Sequence, residues 1–115
     1  MLIADDEPAA RRGVRQLLAA FPDFTVAGEC RDGAEVLTAL DTLNPHVVCL
    51  DIQMPGIDGP SFALALRKGL RHVPLVILTG VDDPKHEADR CNAEAFLSKP
   101  FNAPELVKVV RRFAT

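Results

Sequence analysis

The sequence predicts an α/β domain, a doubly wound parallel sheet with helices on both faces. Three observations carry that. Short apolar runs alternate with longer amphipathic stretches, five of each. Two of the runs, Val47-Val48-Cys49-Leu50 and Leu75-Val76-Ile77-Leu78, show no in/out alternation, as expected of strands covered on both faces. The 115 residues suffice for one such domain and are too few for two. Crossovers between parallel strands are almost always right-handed, so an open three-layer (βα)5 architecture follows.

The elements come in order. Leu2-Ile3-Ala4 is a short first strand that ends in acid. Ala10, Val14, Leu17, Leu18 and Phe21 recur at helical spacing. After the Pro22-Asp23 turn, Phe24-Thr25-Val26-Ala27 reads as the second strand. Val36, Leu37, Leu40 and Leu43 stripe a second helix, opened by Asp32-Gly33 and closed by Asn44-Pro45. The two apolar runs are the third and fourth strands, with Phe62, Ala63, Leu66 and Leu70 marking the helix between them. A polar segment from Pro84 to Cys91 follows, read as a weak helix with Ala88 and Cys91 as its apolar anchors. Ala95-Phe96-Leu97 is the fifth strand, and Leu106, Val110 and Phe113 stripe the last helix.

Composition narrows the function classes. Lys plus Arg number 13 and Asp plus Glu 16, a net charge of −3, which is no footprint for nucleic acid. No apolar run approaches the roughly 20 residues that span a bilayer, and the acid at Asp5 and Asp6 comes too early for a signal peptide. Cys30, Cys49 and Cys91 form no C-x-x-C pair, so neither a zinc site nor a disulfide framework is supported. A reducing cytoplasm is the expected setting. His46, His72 and His86 share no ligand spacing and read as surface or turn residues. Arg11, Arg12 and Arg15 read as a solvated helix face, with docking of a partner protein as the functional alternative.

Ligands of open parallel sheets bind beyond the carboxyl ends of the strands. Asp5-Asp6-Glu7 follows the first strand, Asp51 the third, Thr79-Gly80 the fourth and Lys99-Pro100 the fifth. Taken singly, each has a plain explanation. Asp6 could cap the helix opening at Pro8, Asp51 could be a loop residue, Thr79 a strand end and Lys99 a surface charge. Together at one edge they call for chemistry. Asp5, Asp6 and Asp51 would repel one another, and a divalent cation relieves that. All-oxygen ligands favour Mg²⁺ over zinc. A cation, an ammonium and a hydroxyl around one carboxylate form a receptor for a phosphoryl group, and the carboxylate can take that group as an acyl phosphate.

The blocks Leu2 to Pro8, Val48 to Gly59, Leu78-Thr79-Gly80 and Leu97 to Phe101 resemble the signature blocks of the receiver domains of two-component response regulators. The resemblance covers essentially the whole chain. It implies a flavodoxin-like fold with strand order 2-1-3-4-5, residues 1–115 forming one receiver domain with no output domain. It implies Asp51 as phosphoacceptor, with a sensor histidine kinase or a histidine phosphotransfer protein as donor. Asp6 would ligate Mg²⁺ directly, Asp5 mainly through water, and the main-chain carbonyl of Gln53 would add an oxygen. Thr79 and Lys99 would bind phosphoryl oxygens, with the main-chain N–H groups of Gln53 and Gly80. The Lys99-Pro100 bond would be cis. Thr79 and Phe96 would form the switch, reshaping the face made by the Pro84–Cys91 segment, the fifth strand and the last helix. That face would recruit a partner or a second copy, and the domain itself would touch neither nucleic acid nor membrane. An output domain elsewhere would regulate transcription.

Two departures stand out. Phe96 lacks the hydroxyl of the tyrosine common at the switch position, so packing alone would drive it. Only four residues precede Asp5, fewer than usual. Three other readings compete. A phosphatase of the haloacid dehalogenase type also uses a strand-end Asp and Mg²⁺, but wants an acid where Gln53 stands. A phosphorylation-independent receiver-like interaction module usually loses an acid or the lysine. A flavodoxin-like cofactor binder would want a Ser/Thr/Gly phosphate loop after the first strand.

In receivers, Gln53 and Val81 flank the path of the water that removes the phosphoryl. Val81 has no polar group to orient that water, so general acid–base help is missing on its side. The phosphorylated protein is expected to decay with a half-life of minutes or more in Mg²⁺, measured by loss of radiolabel from purified protein. Decay within seconds would show that Gln53 alone suffices.

Overall fold

Five parallel strands form one sheet in the order β2-β1-β3-β4-β5. They are β1 (Leu2–Ala4), β2 (Gly28–Cys30), β3 (Val48–Asp51), β4 (Leu75–Thr79) and β5 (Ala95–Ser98). The helices bounded among the described residues are α1 (Pro8–Leu18), α2 (Gly33–Leu43), α3 (Pro60–Leu70) and α4 (Ala103–Arg111). The computed structural model describes residues 1–22, 24–51, 60–70, 73–80, 86 and 93–113. Apart from His86, the helix expected over Pro84–Cys91 lies outside the described residues.

The two unalternating runs are the central strands β3 and β4, and each is buried along its whole length. Alternation along the strands sorts side chains to two layers. Leu2, Ala4, Val48, Leu50, Leu75 and Ile77 face α2 and α3 in one cluster with Val36, Leu40 and Leu66. Ile3, Cys49, Val76 and Leu78 face the other way, with Val14 and Leu18 of α1 and Leu106, Val107 and Val110 of α4. Burial pushes the Cys49 thiol up to about 12, and burial followed by the nearby Glu35 and Asp32 pushes Cys30 to about 11, so both are plain core residues.

Helix ends follow their sequence signals. Asp32 caps α2, its carboxylate accepting from the Glu35 N–H at 2.9 Å. Asn44 closes the same helix in the left-handed region, φ 44°, just before Pro45. Asn102 and Glu105 form a reciprocal capping box at the start of α4. At the far end of α4 the Arg111 guanidinium lies 5.4 Å from the Phe24 ring centroid, tying that helix to the segment after α1.

The second strand is a correction. The apolar stretch Phe24–Ala27 is not the assigned strand; β2 begins at Gly28 and pairs Leu2 with Gly28, Ile3 with Glu29 and Ala4 with Cys30. Phe24 and Val26 instead pack as partly buried side chains on the α1/α4 layer. Gly28 is where the end of α2 crosses, since a Cβ there would meet Leu43 Cδ1 at 2.7 Å. An edge strand pairs on one side only and keeps a solvated face, so Gly-Glu-Cys serves where apolar continuity would not be required.

Ile77 is fully buried in the α2/α3 layer, whereas Leu64 of α3 is 67% exposed. Ile77→Ala is expected to lower stability by about 2–5 kcal/mol. Leu64→Ala should change it by less than about 0.5 kcal/mol. Urea denaturation followed by circular dichroism checks both.

Candidate functional site

The ladder aligns the strand ends. Ala4, Leu50, Ile77 and Phe96 lie in one row across the sheet. The next row therefore brings Asp5 beside Asp51, and Asp51 itself pairs with Leu78. Asp5, Asp51 and Lys99 continue the alternation of Ile3, Cys49 and Leu97, so all three emerge on the α1/α4 side. Thr79 and Phe96 continue the opposite alternation and share the α2/α3 side.

The Lys99 ammonium sits between two carboxylates, donating to Asp5 Oδ2 and to Asp51 Oδ2 at 3.0 Å each. Asp5 and Asp51 are both buried. Burial alone pulls the lysine down, but its hydrogen bonds to Asp51 and Asp5 and their charges outweigh that and hold it above the ordinary value of 10.5. The main chain fixes the lysine too, because the Lys99 N–H donates to the Thr79 carbonyl at 2.8 Å. The Lys99-Pro100 bond is cis, as expected.

Asp6 does not cap α1. The N-cap is Glu7, with no side-chain cap, and Pro8 follows at the first turn. Asp5 is the residue that turns back, Oδ1 accepting from the Glu7 N–H at 2.9 Å. Asp6 is left exposed beside the pair, and one oxygen from each of Asp5, Asp6 and Asp51 falls within 4.8 Å of the others. The three carboxylates make an all-oxygen donor set suited to a hard cation such as Mg²⁺.

A cavity of about 640 Å³ opens over this cluster. Asp5, Asp6, Asp51, Gly80 and Lys99 all line it, and it runs on along α1 past Gly13 to Phe101. A Cβ at Gly80 would meet nothing within 4 Å, so main-chain access there is open. Thr79 is fully buried at the end of β4 and does not line the cavity. Phe96 is 38% exposed on the edge strand. Gln53 and Val81 lie outside the described residues.

Lys99 is no free surface charge, and Arg11 is no solvated one. Arg11 Nη1 donates to the main-chain oxygen of Asp5 at 2.6 Å, and its Nε to Glu29 Oε1 at 3.2 Å. Arg15 donates to the other Glu29 oxygen at 3.0 Å. The signal was present in the sequence: Arg11 stands three and seven residues before the buried Val14 and Leu18, on the inward stripe of α1.

Residues 1–111 match the response regulator receiver domain family. The chain belongs to that family. Over 113 residues this receiver is 38% identical to the transcriptional regulatory protein BtsR of Salmonella typhi, covering 97% of this chain and 46% of that protein. It is 30% identical to the nitrate/nitrite response regulator NarL of Escherichia coli, covering 99% of the receiver and 54% of NarL. The receiver thus spans about half the length of these curated relatives. Among solved structures it is similar to the receiver domain of AraT, a response regulator from Geobacillus stearothermophilus, with a TM-score of 0.81, 32% identity, and coverage of 98% and 90% of the two chains. These matches fit a receiver of two-component signal transduction and not a haloacid dehalogenase phosphatase. No helix among the described residues is long and apolar enough to cross a membrane.

Replacing Lys99 by Met leaves Asp5 and Asp51 facing each other with no cation between them. Breaking a fully buried pair costs about 3–5 kcal/mol. Lys99 is 33% exposed, so solvent screens part of that, and about 1–3 kcal/mol is expected near neutral pH. A lysine raised above 10.5 contributes its full stabilisation below that pH and loses it as pH climbs through the folded value. The stability gap between the parent and Lys99→Met should therefore narrow on the alkaline side of 10.5, measured by urea unfolding across pH.

Proposed function

We propose that this receiver takes a phosphoryl group onto Asp51 from a phosphohistidine of a sensor histidine kinase or histidine phosphotransfer protein. The observation that carries the reading is the Asp51 carboxylate itself. It is held at the wall of an open cavity by the Lys99 ammonium, with Asp5 and Asp6 within cation-sharing distance.

In the transfer, an Asp51 oxygen forms the new bond to phosphorus while the bond to the imidazole nitrogen of the donor breaks, and the electron pair leaves with the imidazole. Asp5, Asp6, Asp51 and the main-chain carbonyl of Gln53 would hold Mg²⁺, which supplies charge neutralisation for the phosphoryl oxygens when bound. The Lys99 ammonium exchanges a carboxylate oxygen for a phosphoryl oxygen, needing only to remain where Thr79 and Pro100 place it. Gly80 lines the cavity with no side chain to hinder approach, and in this reading its N–H offers a further donor. The protein catalyses only its own phosphorylation and dephosphorylation in this reading. Residues 1–115 act as one receiver domain in the cytoplasm, and transcriptional output belongs to another part of the regulator.

The switch in this reading runs from Thr79 to Phe96. They lie on the same side of adjacent strands, two rows apart, since Phe96 pairs with Ile77 and Ser98 with Thr79. A phosphoryl on Asp51 draws the Thr79 hydroxyl toward it and frees space for the Phe96 ring, which exposure leaves room to move. The bias equals the difference in phosphoryl affinity between the two states. The altered face, with β5 and α4, would bind an output partner or a second copy.

With Mg²⁺ and acetyl phosphate, the protein should gain one acid-stable, alkali-labile phosphoryl group, detected by intact-mass spectrometry. EDTA and Asp51→Ala should each abolish it, and Asp6→Ala should raise the Mg²⁺ concentration it needs. A label on serine, threonine or histidine would overturn the assignment.

A further inference from the structure

We infer that Arg11 is the positioning residue of the acidic cluster: its guanidinium, oriented by Glu29, pins the Asp5 carbonyl and so sets how Asp5 and Asp6 present their carboxylates to a cation. The inference rests on the reading of Asp5, Asp6 and Asp51 as a cation site.

Every polar group of Asp5 is engaged. Its N–H donates to the Cys30 carbonyl at 2.9 Å. Oδ1 accepts from the Glu7 N–H and Oδ2 from Lys99. The carbonyl accepts from Arg11 at 2.6 Å. That carbonyl belongs to the peptide that joins Asp5 to Asp6. The peptide is planar, so holding its oxygen also fixes the direction in which Asp6 leaves. Asp6 has no other restraint on its carboxylate: among the described residues it makes no hydrogen bond or ion pair. Its placement depends on the backbone, and Arg11 holds that backbone.

The guanidinium is itself aimed. Glu29 lies on the edge strand, level with Ile3, and offers one oxygen to Arg11 Nε and the other to Arg15. The Arg11 side chain is only 17% exposed. A planar fork can reach Asp5 and Glu29 at once in fixed directions, which a lysine ammonium cannot reproduce. Arg11 is absent from the cavity lining, whereas its neighbour Ala10 and also Gly13 are in it. It therefore acts on Asp5 from behind the site, away from any reacting atom.

Charge and position pull in opposite directions here, which makes the inference testable by sign. A guanidinium beside three carboxylates repels a second cation, so by Coulomb's law alone its removal would tighten Mg²⁺ binding. Loss of positioning loosens it. Supporting groups behind metal ligands typically carry 10- to 100-fold in affinity.

The experiment is isothermal titration calorimetry of Mg²⁺ alone into the full chain and its variants, because the sequence holds no Trp and no Tyr for intrinsic fluorescence. Arg11→Gln and Arg11→Lys should both weaken Mg²⁺ binding about tenfold. Arg12→Gln, which removes an exposed cation one residue along, should leave binding unchanged or slightly tighter. Thermal unfolding in EDTA records the separate effect on the fold, and Arg11→Lys keeps the charge should Arg11→Gln not fold. Binding in both Arg11 variants as tight as in the parent, or tighter, overturns the inference. Failure of the parent to bind Mg²⁺ removes the cation site itself, and the inference with it.

Discussion

One ammonium group makes the carboxyl edge of this sheet possible. Two buried carboxylates, on β3 and just after β1, face each other across adjacent strands, and Lys99 bridges them at 3.0 Å to each. Without a cation there, burial and mutual repulsion would both act to expel one of them. The lysine comes from the far side of the sheet, after β5, and its own N–H is tied to Thr79 at the end of β4. Ends of four strands are thus joined through one residue, by its side chain to Asp5 and Asp51 and by its main chain to Thr79. The same arrangement leaves the ammonium a third exposed, at the wall of the open cavity.

Everything else at the edge is built to keep that bridge in place. The core layers are ordinary: Leu2, Leu50, Leu75 and Ile77 on one side, Ile3, Cys49 and Val76 on the other, all nearly inaccessible. Their close packing resists displacement of the strands, which fixes the carboxylates to within the tolerance of a hydrogen bond. The turn after β1 is held by short-range bonds, Asp5 to Glu7 and Arg11 to Asp5. The acidic cluster is a consequence of a rigid sheet meeting a rigid helix start.

Much of this was legible in the chain, for physical reasons. Unbroken apolar runs of four residues rich in Val, Ile and Leu are too short for helices and fit strands covered on both faces, as β3 and β4 are. Asp32 before Gly33, and Asn44 before Pro45, mark the ends of α2 by local hydrogen bonding and backbone geometry, which need no tertiary information. Asp5, Asp6, Asp51, Gly80 and Lys99 were placed together because strand ends of a parallel sheet converge. The second strand was not legible, since Phe24 and Val26 are apolar for the sake of a layer they pack on, while Gly28–Cys30 pairs by backbone alone. Arg11 was misread for a related reason. A charge in a helix is normally solvated, and that expectation outweighs the stripe Arg11 shares with Val14 and Leu18 until its partner on a distant strand, Glu29, is in view. Thr79 joins the expected set by sequence position, yet it sits buried behind the cavity rather than in its wall.

The alternation of side chains along β3, β4 and β5 has a consequence for how such a domain can diversify. Asp51 and Lys99 emerge toward α1 and α4, whereas Thr79 and Phe96 emerge toward the opposite layer. The two groups are contiguous only at the strand ends. A substitution in the layer beneath α2 and α3 can therefore retune the packing around Thr79 and Phe96 and leave the carboxylates undisturbed, and the reverse holds for the α1/α4 layer.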